Sequence, residues 1–344
     1  MAHYNAQVHI VSSAPTRIDL AGGTIDIWPL YLFHERAQTL NAAISLRARC
    51  VLSPEPGKRI VIVSSDTGCT VQVNHWSELR DNHDLKLLGL LLHAFRAEGV
   101  RVETSSASPV GAGIAGSSAL NIAVCGALAA WTGKQLDPEA LMQIAQNVEA
   151  QAIDVPTGVQ DYRPAYFGGI SAVELRPDGI RRVALDIDRA ELRSRLVLAY
   201  TGASRNSGIN NWEMFKAHID GHREVQARFG RIRDVAVAMR AALERADWPE
   251  VARQIREEWE NRKGLAPGVT TPAIETMMQA AEQAGALATK ICGAGGGGCM
   301  IAFSEPSRTA AVAAALCAHG ATVLEYAIEA EGLLVEERTT AAQI

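Results

Sequence analysis

Apolar and polar positions recur along this chain with two periods. Ile44, Leu46, Ala48, Cys50 and Leu52 fall on one side of an alternation and Ser45, Arg47 and Arg49 on the other, the period of a half-buried strand over 44–52. Segments 8–13, 17–21, 59–64, 70–73 and 101–106 read as further short strands, the first two broken at Pro15. Leu85, Leu88, Leu92 and Phe95 recur at helical spacing and predict a helix over 84–98, closed by Gly99. Asp137-Pro138 pairs an N-cap carboxylate with proline at the first helical position and predicts a helix to about Ile153. A strand over 169–175 then leads through the Pro177-Asp178-Gly179 turn to a partner over 180–185.

Beyond 190–195 the pattern starts again. A strand over 196–200 precedes helices over 208–220, 224–246, 249–263 and 272–283. Apolar strands over 287–291 and 299–303 flank a glycine corner, and a helix over 305–318 leads to a last strand over 322–328. Strands and helices alternate irregularly, which predicts an α+β fold in two units, 1–192 and 193–344, the second a small antiparallel sheet backed by helices.

One stretch departs from fold-keeping patterns. Pro109-Val-Gly-Ala-Gly-Ile-Ala-Gly-Ser-Ser-Ala-Leu120 runs small residues and two hydroxyls into an Ala/Leu-rich helix ending near Gly133. Glycine lets backbone approach a ligand, and a helix starting there aims unpaired N–H groups and its positive dipole end at what lies above it. Such a loop suits a phosphate; an ordinary loop entering a core helix with serine as cap fits the same residues. No lysine follows the glycines, so it is not a Walker loop. Gly111, Gly113 and Gly116 match G-x-G-x-x-G, yet the next acid, Asp137, opens a helix instead of ending a strand as a dinucleotide fold requires.

Composition narrows the field. With 344 residues, 48% hydrophobic and 21% charged, the chain has material for a sizeable core and no sign of disorder. A net charge of −5 gives no support for nucleic-acid or anionic-membrane partners, so an anionic ligand must be held locally by amides and a few cations. Residues 1–9 are polar, without an apolar signal core, and the six cysteines form no C-x-x-C pair, which points to reduced thiols in a cytoplasmic protein. His9, His34, His75, His83 and His93 show no metal-ligand spacing.

Three further features invite chemistry. Arg17 lies on an apolar strand, where a cation needs a carboxylate or phosphate unless the strand faces water. Glu149 and Asp161 frame a Pro-Thr-Gly turn, as working carboxylates or as solvated and capping ones. Five glycines among the six residues 293–298 cost backbone entropy that close packing or a ligand can offset.

Taken together, these stretches resemble the GHMP kinase family. Ala14-Pro-Thr-Arg-Ile-Asp-Leu-Ala-Gly-Gly-Thr-Ile-Asp26 resembles its first motif, 109–120 its phosphate loop, and Lys290-Ile-Cys-Gly-Ala-Gly-Gly-Gly-Gly-Cys299 its third. Ala21-Gly-Gly-Thr-Ile-Asp26, Val159-Gln-Asp-Tyr162, Tyr166-Phe-Gly-Gly169 and Tyr200-Thr-Gly-Ala-Ser-Arg205 place it nearest the sugar-1-kinase branch, with heptose 7-phosphate kinase and fucokinase-like members. Two departures stand out: that branch usually carries an extra glycine before its Thr-Asp pair, and Ala115-Gly116-Ser117-Ser118 stands where Gly-Ser-Ser or Gly-Ser-Ser-Ser is usual.

The resemblance implies a two-domain fold, ribosomal S5 domain 2-like before residue 192 and a ferredoxin-like α/β sandwich after it. It implies ATP phosphates over Pro109, Gly111, Ala112, Gly113, Ile114, Ala115, Gly116, Ser117 and Ser118, and Mg2+ on Glu149 and a serine, Ser117 by ungapped alignment. Asp161 becomes general base or orienting group, with Arg17 beside it. Gly22, Gly23, Thr24, Asp26, Gly158, Arg205, Gly295 and Gly296 become acceptor contacts. The implied activity is ATP-dependent phosphorylation of a sugar or sugar-phosphate hydroxyl, foremost the anomeric hydroxyl of a heptose 7-phosphate. A mevalonate-type kinase or decarboxylase and a non-catalytic sensor are the rivals. The family leaves monomer and homodimer both open.

Overall fold

A computed structural model describes residues 7–81, 84–204 and 207–340. The first half builds seven strands: β1 (Gln7–Ala21), β2 (Gln38–Pro54), β3 (Ile60–Ser64), β4 (Cys69–Val73), β5 (Val100–Ser106), β6 (Ile170–Arg176) and β7 (Gly179–Ala184). Four helices, α1 (Lys86–Phe95), α2 (Gly116–Thr132), α3 (Pro138–Ile153) and α4 (Tyr162–Phe167), accompany them. The second half runs α5 (Arg189–Ser194), β8 (Leu196–Tyr200), α6 (Ser207–Ile219), α7 (Arg223–Glu244), α8 (Trp248–Arg262) and α9 (Pro272–Gln283). It ends with β9 (Ala286–Ile291), β10 (Cys299–Ser304), α10 (Thr309–Ala318), β11 (Thr322–Val323) and β12 (Leu334–Thr340).

Two sheets result among the described residues. The larger runs β12-β1-β2-β5-β3-β4, with β6 and then β7 carried on the other stretch of β2. The smaller runs β11-β8-β10-β9, every neighbour antiparallel. Numbered within its own unit that order is 4-1-3-2, the ferredoxin-like arrangement.

The first sheet departs from the sequence pattern in three places. β1 is continuous through Pro15, because a register shift at Pro15/Thr16 absorbs the missing donor. β2 begins six residues before the alternating stretch (38 against 44), because Thr39, Asn41 and their apolar neighbours are buried on both faces and show no alternation. The strand expected over 322–328 shrinks to two residues, and β12 pairs antiparallel along β1 instead. β12 is an exposed edge rich in charge, so no apolar period announces it. The first helix also ends earlier than expected, at Arg96 in the left-handed region instead of at Gly99.

Helix α2 lies against β1 and β2, and its buried face of Ala119, Ile122, Ala123 and Ala127 joins the first core. This packing fixes the phosphate-type loop directly over Arg17, whose amide donates to the Ile114 carbonyl at 3.0 Å.

Candidate active site

The glycine-rich loop forms an uncapped helix N-terminus. Gly111 and Gly113 take φ of 69° and 73°, and Ala115, at φ 64°, occupies the N-cap position with no side-chain cap. Ser117 and Ser118 are therefore second and third helical residues, not caps, and the first-turn amides of α2 face open space. That space is a cavity of about 300 Å³ lined by 109–113 and 115–118, with Asp66, Thr67 and Ser108 contributing side chains from the strand ends. Ile114 turns the other way, fully buried in the core shared with the second sheet.

Arg17 is 2% exposed on β1. Its Nε and Nη2 both donate to Asp161 Oδ1, at 2.9 and 2.7 Å, and Nη1 donates to the Gly113 carbonyl at 3.1 Å. Burial works against the guanidinium charge, but Asp161, with Asp19 behind it, outweighs burial and holds its pKa above the usual value. Because both guanidinium contacts use Oδ1, the second Asp161 oxygen is left to the cavity side, where the side chain keeps 27% exposure.

Glu149 reaches the same point from α3. It accepts from Tyr162 Oη at 2.8 Å and from Ser118 Oγ at 3.0 Å. Burial pushes its carboxyl up, and hydrogen bonds from Tyr162, Ser117 and Ser118 pull it only partly back. Among the described residues no group of three or more His, Cys, Asp or Glu side chains could hold a metal ion. A desolvated carboxylate beside an exposed serine hydroxyl suits a hard cation that brings phosphate oxygens with it, which is how magnesium binds.

A second cavity, of about 150 Å³, is lined by Thr24, Asp26, Thr157, Gly158, Gln160 and Gly293 among others. Arg17, Ser117, Glu149 and Asp161 line both cavities. Asp26 is 1% exposed and accepts from the Gln160 amide at 2.8 Å. Burial first, then the charge of Asp161, lifts its pKa to about 6.

The glycines expected to touch acceptor serve packing more than contact. A Cβ on Gly22 would meet the Gln38 carbonyl at 2.2 Å, one on Gly23 the Asp19 carboxylate at 2.5 Å, and one on Gly158 Asp26 at 2.1 Å. Of these three, only Gly158 lines the cavity. Gly295 and Gly296 pack against Val269 and line neither cavity; Gly293 and Ala294 take that place. Gly298 seals the two loops together: Cys299 donates to the Ala112 carbonyl, which a Cβ on Gly298 would meet at 2.6 Å. Arg205 lies outside the described residues.

Sequence reasoning missed two groups. Gln160, which stands inside the Val159-Gln-Asp-Tyr162 stretch but was given no role, and Asn211 line the second cavity and carry no charge to mark them. Beneath it Asp19, Glu258, Arg262 and Lys290 form a fully buried ionic quartet. Arg262 reaches Thr24 Oγ1 at 3.1 Å and the Gly23 and Gly293 carbonyls at 3.0 and 2.9 Å, so it ties the first motif to the third.

Two sheets thus bring their glycine loops together beside Arg17, Ser117, Glu149 and Asp161, an arrangement with the chemistry to receive phosphate. The profile of the GHMP kinase N-terminal domain matches residues 82–169, and that of the C-terminal region matches 239–322. The chain belongs to the GHMP kinase family, whose members use ATP as phosphate donor. A D-glycero-alpha-D-manno-heptose 7-phosphate kinase of Campylobacter jejuni is 27% identical over 336 residues, 94% of this chain and 98% of the relative. A mevalonate kinase of Thermococcus onnurineus is 30% identical over 249 residues, 70% of each chain. The crystal structure of a D-glycero-D-manno-heptose 1-phosphate kinase from Bacteroides thetaiotaomicron superposes with a TM-score of 0.76 at 25% identity, covering 95% of this chain and 98% of that one.

Proposed function

We propose that this protein is a cytoplasmic sugar-phosphate kinase that moves the γ-phosphoryl group of ATP to the anomeric hydroxyl of a heptose 7-phosphate or a related sugar. The observation that carries the reading is the set of residues common to both cavities, Arg17, Ser117, Glu149 and Asp161, with the uncapped start of α2 lining one cavity and polar residues lining the other. Phosphoryl transfer with a loose transition state asks for two reactants held in line and for charge neutralisation between them. Two cavities that share one group of charged and hydroxyl side chains fit that demand.

Each residue then has a task. The loop amides and the α2 dipole bind the β- and γ-phosphates. Asp161 directs its free oxygen at the acceptor hydroxyl and takes the proton as the bond forms. Arg17 fixes Asp161 through the other oxygen and offsets charge on the transferred group. Thr24 and Asp26 meet acceptor hydroxyls. Glu149 and Ser117 would hold magnesium, which when bound neutralises charge on the nucleotide phosphates. In this reading residues 1–192 form the ATP-binding domain and 193–344 the second domain, with β12 returning to the first sheet.

The mevalonate kinase relatives favour a second reading, with a hydroxy acid as acceptor. An ADP-release assay over heptose 7-phosphate, free hexoses, hexose phosphates and mevalonate, with and without EDTA, separates the two. Magnesium-dependent turnover with a sugar phosphate is the expected result. Turnover with mevalonate alone replaces the acceptor class, and no ADP from any of them removes the kinase assignment.

A further inference from the structure

Two carboxamides in the acceptor-side cavity have no part in the scheme above. Gln160 is 6% exposed and its Oε1 is buried without a hydrogen-bond partner. Asn211, in α6, presents a second buried amide oxygen, Oδ1, also without a partner. Both residues line the 150 Å³ cavity. Buried amide oxygens are nearly always paired, and leaving one unpaired is costly. Here two of them, from segments 51 positions apart in sequence (211 less 160), line one compartment.

The rest of the wall has the same polarity. Asp26, Glu149 and Asp161 are hydrogen-bond acceptors when ionised, and Thr24, Thr157 and Ser117 carry hydroxyls. Among the described residues that line the cavity Arg17 is the one cation, and its guanidinium already holds Asp161 and the Gly113 carbonyl. Such a wall welcomes the O–H donors of whatever part of the acceptor lies within it.

Building on the sugar-kinase reading, we infer that Gln160 and Asn211 read hydroxyl groups of the acceptor, and that this amide pair makes the cavity select a polyhydroxylated sugar over a hydroxy acid. A site built to hydrogen-bond a hydroxyl rejects the analogue that lacks it, because the buried partner is then left unpaired. The backbone contact of Gln160 with Asp26 uses the main-chain amide, so side-chain variants at 160 leave it in place.

The test begins with the wild-type chain and heptose 7-phosphate, its monodeoxy analogues and mevalonate. Gln160→Met and Asn211→Ala are each expected to raise the heptose 7-phosphate KM about 10-fold while the ATP KM stays within about 2-fold. One deoxy analogue is expected to lose about 10-fold in kcat/KM with wild type and less than about 2-fold with the variant at the residue that reads that position. If Gln160→Met does not fold, as judged by thermal melting, Asn211→Ala carries the same test. Unchanged acceptor KM in the folded variants, or equal deoxy losses in wild type and variants, overturns the inference and leaves the kinase reading standing. Wild type that phosphorylates mevalonate and no sugar overturns both.

Discussion

Arg17 and Arg262 are both buried, both paired with carboxylates, and both touch the motifs that shape the site, yet they differ in what their partners have left over. Arg17 spends two donors on one oxygen of Asp161, whose side chain keeps 27% exposure beside two cavities. Arg262 spends its donors on Glu258, Thr24 and the carbonyls of Gly23 and Gly293, and its side chain and both its carboxylate partners have 0% exposure. With Lys290 opposite Asp19 and Glu258, the quartet balances two positive against two negative charges in a sealed space. Buried charge alone therefore does not mark chemistry. A spare oxygen at a cavity does.

The sharpest way to break the comparison is to disable the open pair without disturbing its shape. Asp161→Asn keeps size and a hydrogen-bonding oxygen for Arg17 but removes the base. Turnover is expected to fall by about 10³- to 10⁴-fold, with ATP affinity within a few-fold and the melting temperature close to wild type. Steady-state ADP release and nucleotide titration read the two halves separately. Near-normal turnover would take Asp161 out of the reaction and reduce the Arg17 pair to another structural ion pair.

Arg262→Met applies the opposite pressure. It leaves the fully buried Asp19 and Glu258 with Lys290 as the remaining cation of the quartet. Breaking a buried ionic network in this way is expected to cost about 3–5 kcal/mol of stability. Arg17→Met, beside a carboxylate with access to solvent, is expected to cost less stability and more turnover. Denaturant melts of the two variants make the comparison, and a loss below about 1 kcal/mol for Arg262→Met would show that the quartet is not what joins the first and third motifs.

These two arginines also mark how far the sequence can be read. Arg17 was visible because its strand neighbours are apolar, and a cation there asks for a partner. Glu258 and Arg262 stand at i,i+4 on a helix of low apolar content, the spacing of a solvated surface pair. Only the docking of α8 against β9 and the turn at 22–24 buries them, and no local pattern encodes that. The loop at 109–118 was legible because glycine and small residues write backbone geometry directly into composition. The segment at 38–43 was not, since a strand buried on both faces loses its alternation, nor was β12, an edge whose stability comes from pairing with β1. Gln160 and Asn211 are silent for another reason: a carboxamide has no charge to flag, and its missing partner is a property of space alone.

Asp26 falls between the two arginine sites and gives the smallest, most discriminating effect. It lines a cavity, as Asp161 does, but it is buried, and among the described residues its hydrogen bond comes from the Gln160 amide and not from a guanidinium. Burial and the neighbouring Asp161 lift its pKa from the ordinary 3.8 to about 6. Between those values the folded chain binds a proton that the unfolded chain releases. The stability gained is therefore fully present below pH 3.8 and lost as pH rises through about 6. Above that pH the ionised carboxylate costs up to about 3 kcal/mol relative to the protonated form. Asp26→Asn retains an oxygen for the Gln160 amide and cannot ionise, so it is expected to stabilise the protein on the order of 2 kcal/mol at pH 8. The gain should shrink steadily toward pH 4, while kcat/KM for the acceptor falls. Thermal melts of both proteins across pH 4–8 measure this, and a difference that stays flat with pH would mean that Asp26 titrates as freely in the fold as in the unfolded chain. A pH-dependent gain coupled to a loss of acceptor turnover would instead identify Asp26 as a charge kept for its ligand at the expense of the fold, the reverse of the sealed quartet below it.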